Sequence, residues 1–280
     1  MNAPSTFKLG VTLYSFTTEF WAYKWSFEDC MRKAAQLGPG MGVEIVGPQH
    51  HRNFPEVPDE FVRTFRSSVE ANGLVPTSYG SYADPFFYPD RDFNEDEMVE
   101  YVIPQLKGAN RLGFSTVRLQ YFNYKVIEKL LPYAKKYKLK LGYEVHVPIM
   151  IETPICQMLI EQVKKISSEY LGLTPDFGIF ENRVSGVPQP ENVKPSPAKA
   201  LEQILPYIIH IHGKFHRMIK GEIPDIPYED LVRILVQGGY KGWMSTEFEG
   251  SDLGEYPNSF EIVKAHHALI KRFQMKYAAT

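Results

Sequence analysis

The chain has 280 residues, 44% of them hydrophobic, enough apolar side chain to bury a sizeable core in one domain spanning 1–280. Its 31 basic and 33 acidic residues leave a net charge of −2, which argues against nucleic acid or an anionic membrane as a partner. Two cysteines, Cys30 and Cys156, are too few for a disulfide framework. Residues 1–6 lack the apolar core of a secretory signal, and no apolar run approaches the ~18 residues of a membrane span, so a cytoplasmic location is expected.

In chain order, residues 8–15 read as a first buried strand, followed by a helix over 27–37 with Ser26 as its N-cap. Residues 42–47 form the second strand. Pro58 suits the first turn of the next helix, and Asn72-Gly73 suits its end. Strands at 74–79 and 115–120 come next, separated by a helix ending near Leu112-Gly113. Four further strands are expected at 141–146, 171–176, 207–212 and 243–249, with helices over 123–137, 153–168, 197–205, 228–237 and 258–277. Strand centres recur every 25 to 40 residues or so, the period of an eight-fold α/β barrel, the (β/α)8 TIM barrel. An open doubly wound sheet is the rival, but no Gly-x-Gly-x-x-Gly follows the first strand, and the polar strand ends are spread around the whole set. Two linkers, 79–93 with Tyr82, Asp84, Phe86, Phe87 and Tyr88, and 180–197 with four prolines, read as pocket walls.

The last four strands each deliver ionisable residues at the C-terminal end, where such barrels place their chemistry. Glu144 and His146 share a face, as do His210 and His212, and Glu247 and Glu249; Asp176 closes the sixth strand. Taken singly, each is as well explained by local hydrogen bonding. Together, Glu144, Asp176, His212 and Glu247 offer three carboxylates and one imidazole, a hard ligand set suited to Mn²⁺, Mg²⁺ or Co²⁺, with Zn²⁺ also compatible. A shared cation would offset the several kcal/mol that burying uncompensated carboxylates costs. His146 is a candidate acid/base, and His210, one pleat deeper, a candidate support beneath the ion. Arg118, Lys214, Tyr14 and Glu249 are candidate substrate-binding residues, with Glu44 a weaker one. For Tyr14, Phe16, Trp21 and Trp25, ligand stacking competes with loop packing. The neighbours His50-His51 and His266-His267 do not read as ligand pairs.

Gly42-Val43-Glu44-Ile45-Val46-Gly47, Glu144-Val145-His146, Asp176-Phe177-Gly178, His210-Ile211-His212-Gly213-Lys214 and Glu247-Phe248-Glu249 resemble the sugar phosphate isomerase/epimerase group of xylose-isomerase-like barrels, over almost the whole chain. The resemblance implies one divalent ion, usually Mn²⁺, held by Glu144, Asp176, His212 and Glu247. Residues 9–17 together with Glu144-x-His146 also resemble the catalytic α-subunits of bacterial C-glycoside deglycosidases, a branch of that group. That branch implies a small β-subunit as partner, where a homo-oligomer is the alternative.

Three readings follow. A deglycosidase would use His146 to remove the C2 proton of a 3-oxo C-glycoside and eliminate the aglycone; the aromatic-rich loops favour this reading. An isomerase or epimerase would use Glu144 and Glu247 as ligands and as acid/base groups on free or phosphorylated ketoses. A non-catalytic barrel would bind sugar without needing a metal. A DNA-processing relative of the group needs more histidine ligands than these strand ends offer, and the near-neutral charge disfavours DNA.

Overall fold

Strands β1 (Lys8–Thr12), β2 (Gly42–Val46), β3 (Val75–Tyr82), β4 (Thr116–Gln120), β5 (Lys140–Val145), β6 (Leu171–Pro175), β7 (Ile211–Phe215) and β8 (Trp243–Phe248) are all parallel in the computed structural model. The structure describes residues 6–83, 87–120, 124–182 and 194–278. The strands pair in the order β6-β5-β4-β3-β2-β1-β8-β7. The ring is completed between β6 and β7 by two isolated bridges, Leu173 with Ile208 and Asp176 with His212, so the sheet is a nearly closed (β/α)8 barrel.

Helices α1 (Phe27–Gln36), α2 (Asp59–Asn72), α3 (Glu95–Leu112), α4 (Ile127–Tyr137), α5 (Pro154–Ile166), α6 (Leu201–Ile204), α7 (Tyr228–Gln237) and α8 (Ser259–Ala278) follow the strands. Their ends are written in the sequence. Ser26 and Asn94 open α1 and α3 with capping boxes to Asp29 and Glu97, and Gly73 closes α2 at φ 61°, a left-handed turn that glycine adopts without strain. Val43, Ile45, Val117, Leu119, Leu141, Leu173, Ile211 and Met244 are buried and belong to one apolar core with residues of the helices. They alternate along the strands with the residues that line the barrel interior.

That interior is polar. Glu44, Ser78, Arg118, Thr174, His210, His212 and Ser245 are all buried, and Arg118 is 2% exposed, where such barrels are usually filled by branched apolar side chains. Gly80 makes the room: a Cβ there would stand 2.7 Å from the Arg118 guanidinium.

Two stretches depart from expectation. Strand β7 begins at Ile211 rather than 207, and residues 197–207 form two tight turns flanking the four-residue α6 instead of one helix. Pro206, with no N–H to donate, ends the helical run in a turn, and Ile208 and Ile209 touch β6 without a continuous ladder. Strand β3 runs to Tyr82, taking in residues expected to be loop. In the two expected pocket walls, Asp84, Phe86 and positions 183–193 lie outside the described residues. Phe87, Tyr88, Phe93 and Tyr101 pack on one another, with Phe87 and Phe93 stacked at 5.1 Å.

Candidate metal centre

Barrel closure brings the ends of β5, β6, β7 and β8 to one point. The His212 Nδ1 atom lies 3.2 Å from Glu144 Oε1, 3.1 Å from Glu247 Oε2 and 3.9 Å from Asp176 Oδ2, and all four side chains are buried. One ligand atom each from Glu144, Asp176 and His212 falls within 4.8 Å of the others. Among the described residues, His212 Nδ1, Asp176 Oδ2 and Glu247 Oε2 are buried without a hydrogen-bond partner, a costly state for polar atoms. Ligands held about 2.1 Å from one ion, at tetrahedral or octahedral angles, stand roughly 3.0–3.4 Å apart. The spacing, the unpartnered atoms and the mixed oxygen and nitrogen donors therefore fit a divalent cation.

Local structure aims each ligand. The Gly178 N–H donates to Asp176 Oδ1 at 2.7 Å, which fixes the carboxylate so that Oδ2 faces the cluster. Ser15, from the turn after β1, donates its hydroxyl to Thr246 O at 3.1 Å and accepts from the Phe248 N–H at 3.0 Å, clamping the backbone on either side of Glu247. Below the cluster, Glu44 Oε1 meets His212 Nε2 at 2.8 Å, and Glu44 Oε2 meets His210 Nε2 at 3.0 Å. Arg118 contacts Glu144 Oε2 at 3.1 Å and approaches Glu44 Oε1 at 3.9 Å.

The electrostatics follow. Burial pushes the Asp176 carboxyl up to about 6; Lys214 pulls against that, while Glu247 and Glu144 add to it. Glu144 is equally buried, but Arg118 and the imidazoles hold it down at about 2. Burial alone would strip the proton from His212, yet the facing Glu44 and Glu247 hold its pKa well above the ordinary imidazole value.

Lys214 sits beside this cluster, its Nζ 3.2 Å from Asp176 Oδ2, 2.5 Å from Glu249 Oε2 and 3.2 Å from His146 Nε2. Its approach to Asp176 is an ion pair without hydrogen-bond alignment. Tyr14 donates to Glu249 Oε1 at 3.0 Å, so these two candidate substrate residues form one contact at the mouth. His146 Nδ1 lies 2.7 Å from Val147 O, which makes it the donor and leaves the Nε2 lone pair facing Lys214.

The structure thus groups Tyr14, Arg118, Glu144, His146, Asp176, His212, Lys214, Glu247 and Glu249 at one end of the barrel, with Glu44 and His210 beneath. It separates others. Phe16 is buried against Trp25 at 5.6 Å, whereas Trp21 is exposed. His51 bonds Tyr79, His50 the Val46 backbone, His266 the Thr246 hydroxyl and His267 the Gly10 carbonyl, all of them packing roles. A pair that the sequence reading missed is His216 with Glu181, where Nδ1 and Oε2 stand 2.8 Å apart. The signal was present: 210, 212, 214 and 216 alternate on one face, but ending the strand at 212 hid its continuation.

Residues 31–272 match the family model described as the xylose isomerase-like TIM barrel. The chain is 34% identical to the 3'-dehydrocarminate deglycosidase alpha subunit of a Microbacterium species, over 97% of each chain. It is 31% identical to a C-glycoside deglycosidase alpha subunit of Arthrobacter globiformis, covering 96% of this chain and 93% of that one. In fold it resembles the D-allulose 3-epimerase of a Methylomonas species, with a TM-score of 0.68, 15% identity and coverage of 98% and 100%. The eight-strand closure, the matched residues and these relatives agree: the chain belongs to the xylose isomerase-like TIM barrel family.

Proposed function

We propose that the chain is the catalytic subunit of a divalent-metal-dependent C-glycoside deglycosidase that cleaves 3-oxo C-glycosides by elimination. The observation that carries this reading is the meeting of a four-residue ligand set with an imidazole whose accepting nitrogen faces Lys214, the lysine beside that set. A bound divalent cation, best Mn²⁺, supplies an electrophile for the substrate ketone, and Glu144, Asp176, His212 and Glu247 would hold it. His146 takes the proton from sugar C2 at Nε2, its ring held in the required tautomer by Val147 O. The C2–H electron pair forms the C1–C2 double bond, the bond from C1 to the aglycone breaks, and the aglycone carbon accepts a proton. Lys214 orients His146 and lends positive charge to the oxygens that gain negative charge. Tyr14 and Glu249 offer a donor and an acceptor for sugar hydroxyls. The alpha-subunit names of the relatives support a small partner chain.

One observation favours a second reading, a ketose epimerase: Glu144 and Glu247 flank His212 Nδ1 at nearly equal distances, as two carboxylates working on opposite faces of one carbon would. The two readings separate by incubating the Mn²⁺-loaded protein, with and without its partner, with a 3-oxo C-glycoside and with a ketose panel. Aglycone release that depends on the metal supports the first; ketose interconversion without aglycone release supports the second. Sugar binding that survives chelation, with neither activity, supports a binding protein. His146→Ala is expected to keep its metal and lose about 10²–10⁴-fold in turnover, and an unchanged rate removes His146 from the chemistry.

A further inference from the structure

The buried layer under the ligand cluster carries an inference about which atom of His212 meets the cation and what forces that choice. His212 has two ring nitrogens and they face opposite floors. Nδ1 looks up at Glu144, Glu247 and Asp176 and has no hydrogen-bond partner; Nε2 looks down at Glu44 Oε1, 2.8 Å away. An ionised carboxylate can only accept, so a contact of that length requires the proton to sit on Nε2. Both Glu44 oxygens face ring nitrogens and the Arg118 guanidinium stands 3.9 Å from Oε1, surroundings that suit an accepting carboxylate. It cannot rotate away, because its other oxygen is taken by His210 Nε2 at 3.0 Å, which in turn meets Ser245 Oγ at 3.0 Å.

Resting on the metal-centre reading above, we propose that Glu44 is a positioning residue that fixes His212 as an Nδ1 ligand. A glutamine in its place presents an amide able to donate to Nε2. The ring can then carry its proton on Nδ1, where it blocks the cation.

A rival arrangement uses the same residues. Glu44, His210 and His212 themselves lie close enough to hold an ion on the lower floor. Two features count against it. Both Glu44 oxygens and the Nε2 atoms of His210 and His212 already make contacts at hydrogen-bond length, whereas the upper ligand atoms His212 Nδ1, Asp176 Oδ2 and Glu247 Oε2 have no partner. The Arg118 guanidinium stands 3.9 Å from Glu44 Oε1, so a second cation there would meet a charge already in place.

The test is calorimetric titration of the metal-free protein with Mn²⁺, comparing wild type, Glu44→Gln, His210→Gln and Asp176→Asn, with thermal unfolding of each metal-free form. Glu44→Gln is expected to weaken the Mn²⁺ Kd by about 10–100-fold, the usual effect of removing a carboxylate behind a metal-bound histidine. His210→Gln should change it less than about three-fold, and Asp176→Asn should abolish binding. In ¹⁵N-histidine-labelled wild type loaded with Zn²⁺, His212 should keep its proton on Nε2 and bind through Nδ1. That measurement stands even if Glu44→Gln unfolds. An unchanged Kd in folded Glu44→Gln, or Zn²⁺ on Nε2, overturns the proposal. A His210→Gln loss equal to that of Glu44→Gln, with Asp176→Asn binding normally, overturns it in favour of the lower site. Absence of Mn²⁺ binding by wild type overturns it together with the metal-centre reading, an outcome distinct from the others.

Discussion

The two floors of the barrel interior are built from the same residue types and end in opposite states. On the lower floor, Glu44 uses both oxygens and Arg118 divides its charge between Glu44 and Glu144, so the charges are compensated within the protein even though Arg118 Nε makes no hydrogen bond. On the upper floor, His212 Nδ1, Asp176 Oδ2 and Glu247 Oε2 converge without hydrogen-bond partners, and Lys214, Arg118 and the imidazoles offset the acids there. Burying charge is not in itself a mark of function, since the lower floor does it for structure. What marks the site is burial whose partners are missing while their positions are already fixed.

The sharpest way to break this contrast is Asp176→Asn. It removes an upper-floor ligand without touching Glu44 or Arg118, so metal should disappear from elemental analysis and turnover fall at least about 10³-fold, with the circular dichroism spectrum intact. Normal metal content would dissolve the distinction. Arg118→Met makes the converse cut: it leaves Glu44 and Glu144 buried without their cation and should destabilise the fold by about 3–5 kcal/mol in denaturant melts. A change under about 1 kcal/mol would mean that the lower floor is not held by charge.

Metal should act on the upper floor alone. Mn²⁺ at a hundred times its Kd should stabilise wild type by about 2.7 kcal/mol and leave the melting temperature of Asp176→Asn unmoved. Acid acts on the upper floor through Asp176, whose raised pKa of about 6 gains stability as pH falls, and on the surrounding wall with the opposite sign. His50 and His267, packed outside the polar interior, are pushed down to about 4 by burial, so between pH 6.5 and 4 these two rings bind more protons in the unfolded chain than in the folded one. Their contribution to stability should be lost as pH drops from 6.5 to 4, by on the order of 2–3 kcal/mol per unit at most for the two together, with Asp176 offsetting part of it below about 6. A melting temperature flat over this range would show that the two rings are not buried as neutral groups.

The upper floor was legible in the sequence because its residues end apolar strands at a regular period, and a barrel turns that one-dimensional regularity into convergence. Glu144, Asp176, His212 and Glu247 needed no knowledge of side-chain geometry to be grouped. The lower floor was harder. Glu44 lies on a strand distant in sequence from β7, and only closure reveals that it stands under His212. The pattern places the start of β7 too early, because Ile208-Ile209 is as apolar as a strand while the turn at Pro206 delays the ladder to Ile211. That error hid His216 and put Lys214 past the strand end rather than on it. No signal in a single sequence says that Tyr14 and Glu249, 235 residues apart, will share a proton.

One seam of the sheet carries a further consequence. Among the described residues, every neighbouring pair of strands zips through a ladder except β6 and β7, whose seam is closed by two isolated bridges at and just beyond the strand ends, one of them joining Asp176 to His212. An ion gripped by these two residues therefore spans the lips of the least stitched joint in the ring. With such an ion bound, chelation and the last step of closure would be a single event, and amide exchange along that joint should report metal loading before any substrate arrives.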